Sequence, residues 1–97
     1  MEKLKEQDIQ NRMATLDSDW IVIGKFLHRE LIFEDFIEAF SFMSAVALVA
    51  EKSNHHPDWK NSYNKVVFAL STHDAEGITT KDFELAKAID AILERYF

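Results

Sequence analysis

Three of the four histidines in this chain lie in two short segments that could together form a proton-transfer site. The first segment contains the adjacent pair His55 and His56, followed by Pro57, and the second contains His73. Imidazole has an unperturbed pKa of about 6.5, so its protonated and neutral forms are both available near neutral pH. A cluster of imidazoles with carboxylates nearby therefore suits general acid–base catalysis.

The spacing of the two segments predicts that they meet at one end of a β-hairpin. Residues 59–63 and 66–71 have strand-like composition, and Asn64-Lys65 between them is the predicted turn. Residues placed symmetrically about a hairpin turn lie side by side. The point midway between His56 and His73 falls inside this turn, so the histidine pair and His73 should be neighbours.

Acidic and aromatic residues flank the predicted histidine cluster. Glu51 stands four residues before His55, so a helix that extends this far would place both side chains on one side. Asp82 stands three residues after Thr79, the spacing of a capping box, and could begin a helix and close the same site. Trp59 offers a flat apolar wall for an aromatic ligand. These residues alone indicate an acid–base enzyme acting on a planar heterocycle.

Other roles are open for several of these residues. Glu51 could be a solvated helix end, Trp59 could belong to the core, and Asp82 could serve only as a helix cap. A zinc site is the main chemical alternative, because the three clustered histidines and Glu51 are all possible ligands. Consecutive histidines in an extended segment point in opposite directions, however, and the chain has no His-Glu-x-x-His helix. The pattern therefore favours a site without metal.

Hydrophobic periodicity predicts the elements that position this cluster. With one Pro and two Gly in the chain, long regular elements are expected. The predicted order is α-β-β-α-β-β-α, an α+β domain over residues 1–97 whose four-stranded antiparallel sheet is covered on one face by helices. The predicted elements are a helix with Ile9, Met13 and Leu16, strands over 20–23 and 26–33 around a Gly24-Lys25 turn, a helix over 34–54, strands over 59–63 and 66–71, and a last helix that begins at Thr79.

The same periodicity predicts which side chains are buried. In the second strand these are Leu27, Leu31 and Phe33, while His28 belongs to no motif and is predicted to be an exposed strand residue. In the long helix they are Phe36, Phe40, Met43, Ala47 and Ala50, widened by Ile37, Val46 and Val49. In the last helix they are Leu85, Ile89, Ile92 and Tyr96, with Ala86 and Leu93.

Composition excludes several classes of function. The formal net charge is −6, and 11 Lys and Arg are scattered among 17 Asp and Glu, so direct binding of nucleic acid is not expected. The absence of Cys excludes disulfides, thiolate metal sites and a cysteine nucleophile. No apolar run reaches the roughly 18 residues that span a bilayer, and no signal core follows the first residues. We therefore expect a soluble, cytoplasmic protein with one core.

The motif residues resemble the pterin-4a-carbinolamine dehydratase family, also called 4a-hydroxytetrahydrobiopterin dehydratases. The shared pattern is an acidic residue, three residues, His-His-Pro, an aromatic residue after a short gap, and a distant His and Asp. In this chain the pattern is Glu51, His55-His56-Pro57, Tyr63, His73 and Asp82. The likeness covers roughly residues 20 to 95 and includes Asp35-Phe36, Phe40-Ser41-Phe42-Met43, Val46-Ala47-Leu48, Tyr63-Asn64-Lys65-Val66 and Leu70-Ser71-Thr72-His73.

The resemblance implies a metal-free lyase without a cofactor, for which the pterin is the substrate. Such enzymes dehydrate 4a-hydroxytetrahydropterin to the quinonoid dihydropterin and so regenerate cofactor for aromatic amino-acid hydroxylases. It implies that His55 and His73 are the acid–base pair and that His56 holds the pterin. The substrate-binding residues that it implies are Glu51, Asn54, Trp59, Ser71, Thr72 and Asp82.

Two positions depart from the family pattern. Some members have Asp where this chain has Asn54, and some have Arg where it has Lys81. Asn54 could still form a hydrogen bond with a neighbouring histidine, but it cannot stabilise an imidazolium by charge. The division of roles among the histidines is therefore open.

The resemblance also has implications for partners. It implies a homodimer or homotetramer, built by sheet-edge pairing and helix contacts. Some family members also act as dimerisation cofactors of a homeodomain transcription factor, through a helix-mediated protein contact. The acidic charge permits protein partners while arguing against DNA, and the intact set of histidines favours the enzyme.

Overall fold

The computed structural model describes all 97 residues, Met1 to Phe97, and confirms the predicted order of three helices and four strands. A 3-10 turn, His73–Ala75, precedes the last helix. None of the helices has both the length and the apolar composition needed to cross a membrane. The elements are α1 Glu6–Met13, β1 Ile21–Ile23, β2 Phe26–Ile32, α2 Phe36–Ser53, β3 Asp58–Ser62, β4 Lys65–Leu70 and α3 Thr80–Tyr96.

The strands form one antiparallel sheet in the order β1-β2-β4-β3. The predicted Gly24-Lys25 turn joins β1 to β2, since Ile23 pairs with Phe26. Gly24 has φ +58°, a left-handed conformation that glycine adopts without steric cost. The two strands that meet in the middle of the sheet, β2 and β4, come from different hairpins, so their pairing joins the two halves of the chain.

The second hairpin turns one residue earlier than predicted. Ser62 pairs with Lys65, so the turn is Tyr63-Asn64, and Tyr63 takes the positive φ of 51°. The side chain of Asn61 donates to the carbonyl of Tyr63 at 3.0 Å and to that of Lys65 at 2.8 Å, which holds this turn in place. Moving a turn by one residue moves each cross-strand partner by two, so the assignment of side chains to the two faces is unchanged.

The core lies between one face of the sheet and the helices. The buried positions alternate along β4, as expected for a strand with one face in the core and one outside it. Small residues on α2 allow the helix to lie close to the sheet. The principal core residues are Leu27, Leu31 and Phe33 near β2, Ala39, Phe42, Val46 and Ala50 on α2, Val66, Phe68 and Leu70 on β4, and Phe83, Leu85, Ala86 and Ile89 on α3.

The buried stripe of α2 is rotated relative to the prediction. Of the predicted residues, Val46 and Ala50 are buried, whereas Phe36, Ile37 and Phe40 are exposed. Because α2 is apolar on most of its circumference, periodicity cannot select which stripe faces the sheet. The prediction that Tyr96 is buried was also wrong, since it is 67% exposed, and the ring of Phe97 instead packs on Phe33 and Phe42.

A buried ion-pair network joins the start of β1 to α3. Arg29 lies on the core face of β2 between Leu27 and Leu31, and its Nη1 donates to Asp90 Oδ1 at 2.7 Å and to Asp17 Oδ2 at 2.9 Å. Trp20 Nε1 donates to the same Asp90 oxygen at 2.7 Å, and the Asp17 amide donates to Asp90 Oδ2 at 3.0 Å. Asp90 therefore holds both the cation and the segment that leads into the sheet.

Replacing Asp90 should destabilise the fold strongly. Asp90→Ala removes the acceptor of three hydrogen bonds and leaves the buried Arg29 with only exposed partners. We expect the free energy of unfolding to fall by about 3 kcal/mol in urea titrations, because the buried charge of Arg29 loses its most buried partner. The matched control is Asp19→Ala, whose carboxylate is 76% exposed and 3.7 Å from Arg29 Nη2. This control should lose less than about 1 kcal/mol, and equal losses would contradict the assignment.

Candidate active site

Helix α2 ends in a left-handed turn directly before the first histidine segment. Asn54 has φ 53° and ψ 39°, and asparagine is among the few residues besides glycine that adopt this conformation readily. The Asn54 amide donates to the Glu51 carbonyl at 3.2 Å, and the His55 amide donates to the Ala50 carbonyl at 3.1 Å. This pair of bonds is a Schellman motif. The backbone of Asn54 therefore sets the direction in which His55 leaves the helix.

His55 contacts a carboxylate that is completely buried. Its Nε2 lies 2.6 Å from Asp82 Oδ1, and the side chains are 12% and 0% exposed respectively. Asp82 Oδ2 accepts from the Thr79 amide at 2.8 Å and from the Thr72 hydroxyl at 2.9 Å. The Thr79 side chain completes the predicted capping box of α3. The same carboxylate thus caps a helix, which is one of the roles considered for Asp82, and contacts a histidine of the predicted site.

His56 has a different and more exposed partner. Its Nε2 lies 2.9 Å from Glu51 Oε1, and both side chains are mostly exposed. The sequence placed Glu51 beside His55, because a continuing helix would bring residues four apart together. The left-handed turn at Asn54 ends the helix first and redirects His55 to Asp82, so Glu51 pairs with His56 instead.

His73 lies on a short closed loop between β4 and α3. The backbone of Thr72 and that of Gly77 form an isolated bridge, with the Thr72 amide 2.9 Å from the Gly77 carbonyl. His73 begins the 3-10 turn inside this loop and its side chain is exposed. Its imidazole forms no hydrogen bond within the chain, whereas each of the other two clustered histidines is held by a carboxylate.

The two histidine segments line one polar cleft of about 350 Å³. The structure therefore brings together the two segments that the sequence predicted to be neighbours. Pro57 is the one apolar side chain in the lining of this cleft, so any ligand in it is held mainly through polar groups. The lining residues are Asn54, His55, His56, Pro57, Asp58, Ser71, Thr72, His73, Asp74 and Lys81.

Four residues of the sequence pattern do not line this cleft, and one of them, the fully buried Asp82, reaches it only through its contacts with His55 and Thr72. Trp59 is half-buried, and its ring centroid lies 5.7 Å from that of Phe68, at the margin of the core. Glu51 touches the site only through His56. Tyr63 lies in the turn at the opposite end of the β3–β4 hairpin. Trp59 thus packs at the margin of the core, as one of the two interpretations from the sequence expected, and its contact with a ligand stays a prediction.

Three charged residues of the cleft were not predicted as site residues. Asp58, Asp74 and Lys81 all line it. Each is within two residues of a predicted site residue, and this closeness along the chain is the only signal that could have identified Asp58 and Asp74. Lys81 had a second signal, since it stands where some members of the resembled family have Arg. Exposed charged residues are common on any protein surface, so their type carries no further information.

The arrangement of donors does not resemble a metal site. No group of three or more His, Asp or Glu side chains is placed to hold an ion. His55 and His56 contact different carboxylates, as expected when consecutive residues of an extended segment point in opposite directions. A larger cleft of about 390 Å³ on the open face of the sheet includes His28 but none of the clustered histidines.

Comparison with known proteins gives one consistent family. Residues 2–92 match the family model described as "Pterin 4 alpha carbinolamine dehydratase". A relative from Solibacter usitatus (strain Ellin6076) is 52% identical over 90 residues, which are 93% of this chain and 94% of the relative. A relative from Prochlorococcus marinus (strain NATL2A) is 50% identical over 93 residues, covering 96% and 98%. Both are named "Putative pterin-4-alpha-carbinolamine dehydratase".

Two solved structures share the fold. The crystal structure of a transcriptional coactivator/pterin dehydratase from Brucella melitensis has a TM-score of 0.90 and 38% identity, covering 94% of this chain and 98% of that one. A pterin dehydratase-like protein identified as a RuBisCO assembly factor in the alpha-carboxysome has a TM-score of 0.67 and 20% identity, covering 78% and 90%. The second likeness concerns the fold alone.

The backbone role of Asn54 predicts a difference between two substitutions. Asn54→Gly and Asn54→Ala both remove the side-chain amide, but only alanine is strained in the left-handed conformation. We expect the alanine variant to be about 1 kcal/mol less stable than the glycine variant in urea titrations. Equal stabilities would show that the turn does not depend on the backbone preference of this residue.

Proposed function

Because the chain belongs to the pterin 4 alpha carbinolamine dehydratase family, we propose that it dehydrates 4a-hydroxytetrahydropterin to the quinonoid dihydropterin. The observation that carries the proposal is the convergence of His55, His56 and His73 in one polar cleft, with His55 held by a buried carboxylate. The product is the form from which tetrahydropterin cofactor is regenerated for aromatic amino-acid hydroxylation.

The proposed reaction needs one proton donor and one proton acceptor. The C4a–O bond breaks as the hydroxyl takes up a proton and leaves as water. The N5–H bond gives its electron pair to a new C4a=N5 double bond, and its proton passes to the acceptor. No electron leaves the pterin, so a neutral and a protonated imidazole can do both tasks without a metal or an organic cofactor.

The environments of the three histidines support a division of these tasks. His55, fixed by Asp82 and almost buried, is one member of the acid–base pair. His73 is the second member, since its ring has no partner within the chain and can follow the changing position of the substrate. His56, held by Glu51 at the exposed rim, binds the pterin. Asn54 and Ser71 supply further polar contacts in the cleft.

The second candidate is a protein-binding role, as a dimerisation cofactor of a transcription factor. The exposed apolar residues of α2 favour it, because contiguous apolar surface commonly marks a protein contact. The net charge of −6 argues against direct contact with DNA. A binding role requires no ordered histidine cleft, and the cleft therefore favours the enzyme. A stable transcription-factor partner in a pull-down, without turnover of carbinolamine, would reverse this order.

We also propose that the outer face of α2 pairs with a second copy of the chain. This face comprises the uncharged residues Ile37, Phe40, Ser44, Ala47 and Leu48, and the exposed Glu51 lies at its C-terminal end. Its large members are 54–76% exposed. Bulky residues near both ends and small ones in the middle suit a two-fold antiparallel helix pair. The edge strand β1, whose three side chains are all exposed, offers a second contact, so a homodimer or a homotetramer can form.

The dehydratase proposal predicts losses in kcat for two histidine variants. With freshly generated 4a-hydroxytetrahydropterin, His55→Ala and His73→Ala should each lower kcat by about 10²–10⁴, the usual contribution of positioned acid–base groups. Their double variant should lose less than the product of the single losses, because both groups act in one step. His56→Ala should mainly raise KM.

Two controls accompany this experiment. His28→Ala removes a histidine from the open face of the sheet, away from the clustered histidines, and should leave the rate unchanged. Dialysis against a strong chelator should also have no effect, whereas a loss restored by zinc alone would contradict metal-free chemistry. The assignment fails if folded His55 and His73 variants retain near-normal kcat.

The pairing proposal predicts that one added charge weakens self-association. Leu48→Glu places a carboxylate in the proposed contact between copies, where it would lose its hydration. We expect sedimentation equilibrium to show a smaller species than the wild type. Ile32→Glu is the matched control, since Ile32 is 64% exposed but lies on the sheet, outside the outer face of α2. An unchanged mass for Leu48→Glu would contradict the assignment of this face.

A further inference from the structure

Thr72 is buried in the lining of the proposed site, and its hydroxyl takes no part in the two proposed proton transfers. Thr72 precedes the 3-10 turn, yet its side chain does not cap that turn. Its Oγ1 lies 2.9 Å from Asp82 Oδ2 and 2.7 Å from Thr79 Oγ1. Thr79 Oγ1 in turn accepts from the Lys81 amide at 3.2 Å. These contacts form a chain of hydrogen bonds from the first turn of α3 to the carboxylate that holds His55.

The ends of this chain fix the direction of every hydrogen bond in it. An ionised carboxylate can only accept, so the Thr72 hydroxyl donates its single proton to Asp82. Thr72 then has only lone pairs to offer, so the Thr79 hydroxyl donates to Thr72. The Lys81 amide can only donate, which agrees with Thr79 as its acceptor. Each hydrogen bond in this series therefore has only one possible donor.

The same reasoning assigns the tautomer of neutral His55. Asp82 Oδ2 already accepts from the Thr79 amide and from the Thr72 hydroxyl, which leaves Oδ1 to accept from His55 Nε2 at 2.6 Å. The proton of the neutral ring is therefore on Nε2. Nδ1 forms no hydrogen bond within the chain and is the nitrogen left to exchange a proton with a substrate.

We propose that Thr72 is a positioning residue that fixes Asp82 and, through it, the tautomer and orientation of His55. The catalytic consequence rests on the proposed dehydratase function, but the tautomer does not. With the hydroxyl present, two donors hold Asp82 Oδ2 from two segments of the chain. Without it, only the Thr79 amide remains on that oxygen, and the hydroxyl proton of Thr79 loses its acceptor. The Asp82 carboxylate can then adopt more than one arrangement of hydrogen bonds with the groups around it.

Thr72→Val tests this role because it removes the hydroxyl and nearly keeps the side-chain shape. Thr72→Ser restores the hydroxyl, and Ser71→Ala removes a neighbouring hydroxyl that has no bond to Asp82. The first measurement is ¹⁵N NMR of the histidine rings at a pH where His55 is neutral. Wild type, Thr72→Ser and Ser71→Ala should show the proton on Nε2. Thr72→Val should show a mixture of both tautomers.

Steady-state kinetics supply the second measurement. Thr72→Val should lower kcat by about 10-fold to 100-fold, as misplacement of a catalytic group does, and Thr72→Ser should recover it. A hydroxyl that contacts the substrate directly would instead raise KM and leave the tautomer unchanged, and this result overturns the proposal.

The outcomes separate this inference from the proposed function. A wild-type chain without turnover, in which Thr72→Val still shifts the tautomer, refutes the dehydratase and supports the positioning role. A folded Thr72→Val chain with a wild-type tautomer and kcat refutes the positioning role alone. Should this variant fail to fold, the wild-type spectrum still decides, because a proton on Nδ1 of neutral His55 overturns the proposal.

Discussion

A carboxylate with no exposure to solvent must find all its hydrogen-bond donors within the chain, and Asp82 finds them in three separate segments. His55 follows the end of α2, Thr72 follows β4, and Thr79 begins α3. Leaving one of these hydrogen bonds unformed would cost about 1–3 kcal/mol, and more where the buried group is charged. The segments that line the cleft are therefore held together by the same requirement that stabilises the start of α3.

Helix α2 serves both the core and the site. Its inner stripe, which includes Phe42 and Val46, packs against the sheet, and its last turn ends in the Schellman motif that releases His55 toward Asp82. Its outer face, formed by Ile37, Phe40, Ser44, Ala47 and Leu48, is left uncovered within one chain. A single helix thus connects packing, the proposed contact between copies and the placement of one histidine.

Much of this architecture could be predicted because local patterns determine it. The two hairpins, the capping box at Thr79 and the meeting of the histidine segments all follow from turn residues, spacing and alternation. The error of one residue in the second turn did not change the faces, since cross-strand partners moved by two. The predictions that failed concerned features that depend on contacts between residues distant in the sequence. Periodicity could not choose between stripes of the nearly all-apolar α2, and nothing local showed that Arg29 is buried against Asp90.

Catalytic groups often oppose stability, because a charge or strain kept for chemistry weakens the fold around it, and improving one property then harms the other. The capping box of α3 creates a different situation at Asp82. The carboxylate that accepts from the N-cap amide of Thr79 through Oδ2 also holds His55 through Oδ1, so a substitution at Asp82 that loosens the helix start also loosens the histidine. In the proposed enzyme, selection for a folded chain and selection for turnover favour the same side chain at this position. The usual trade-off between stability and activity is therefore absent here.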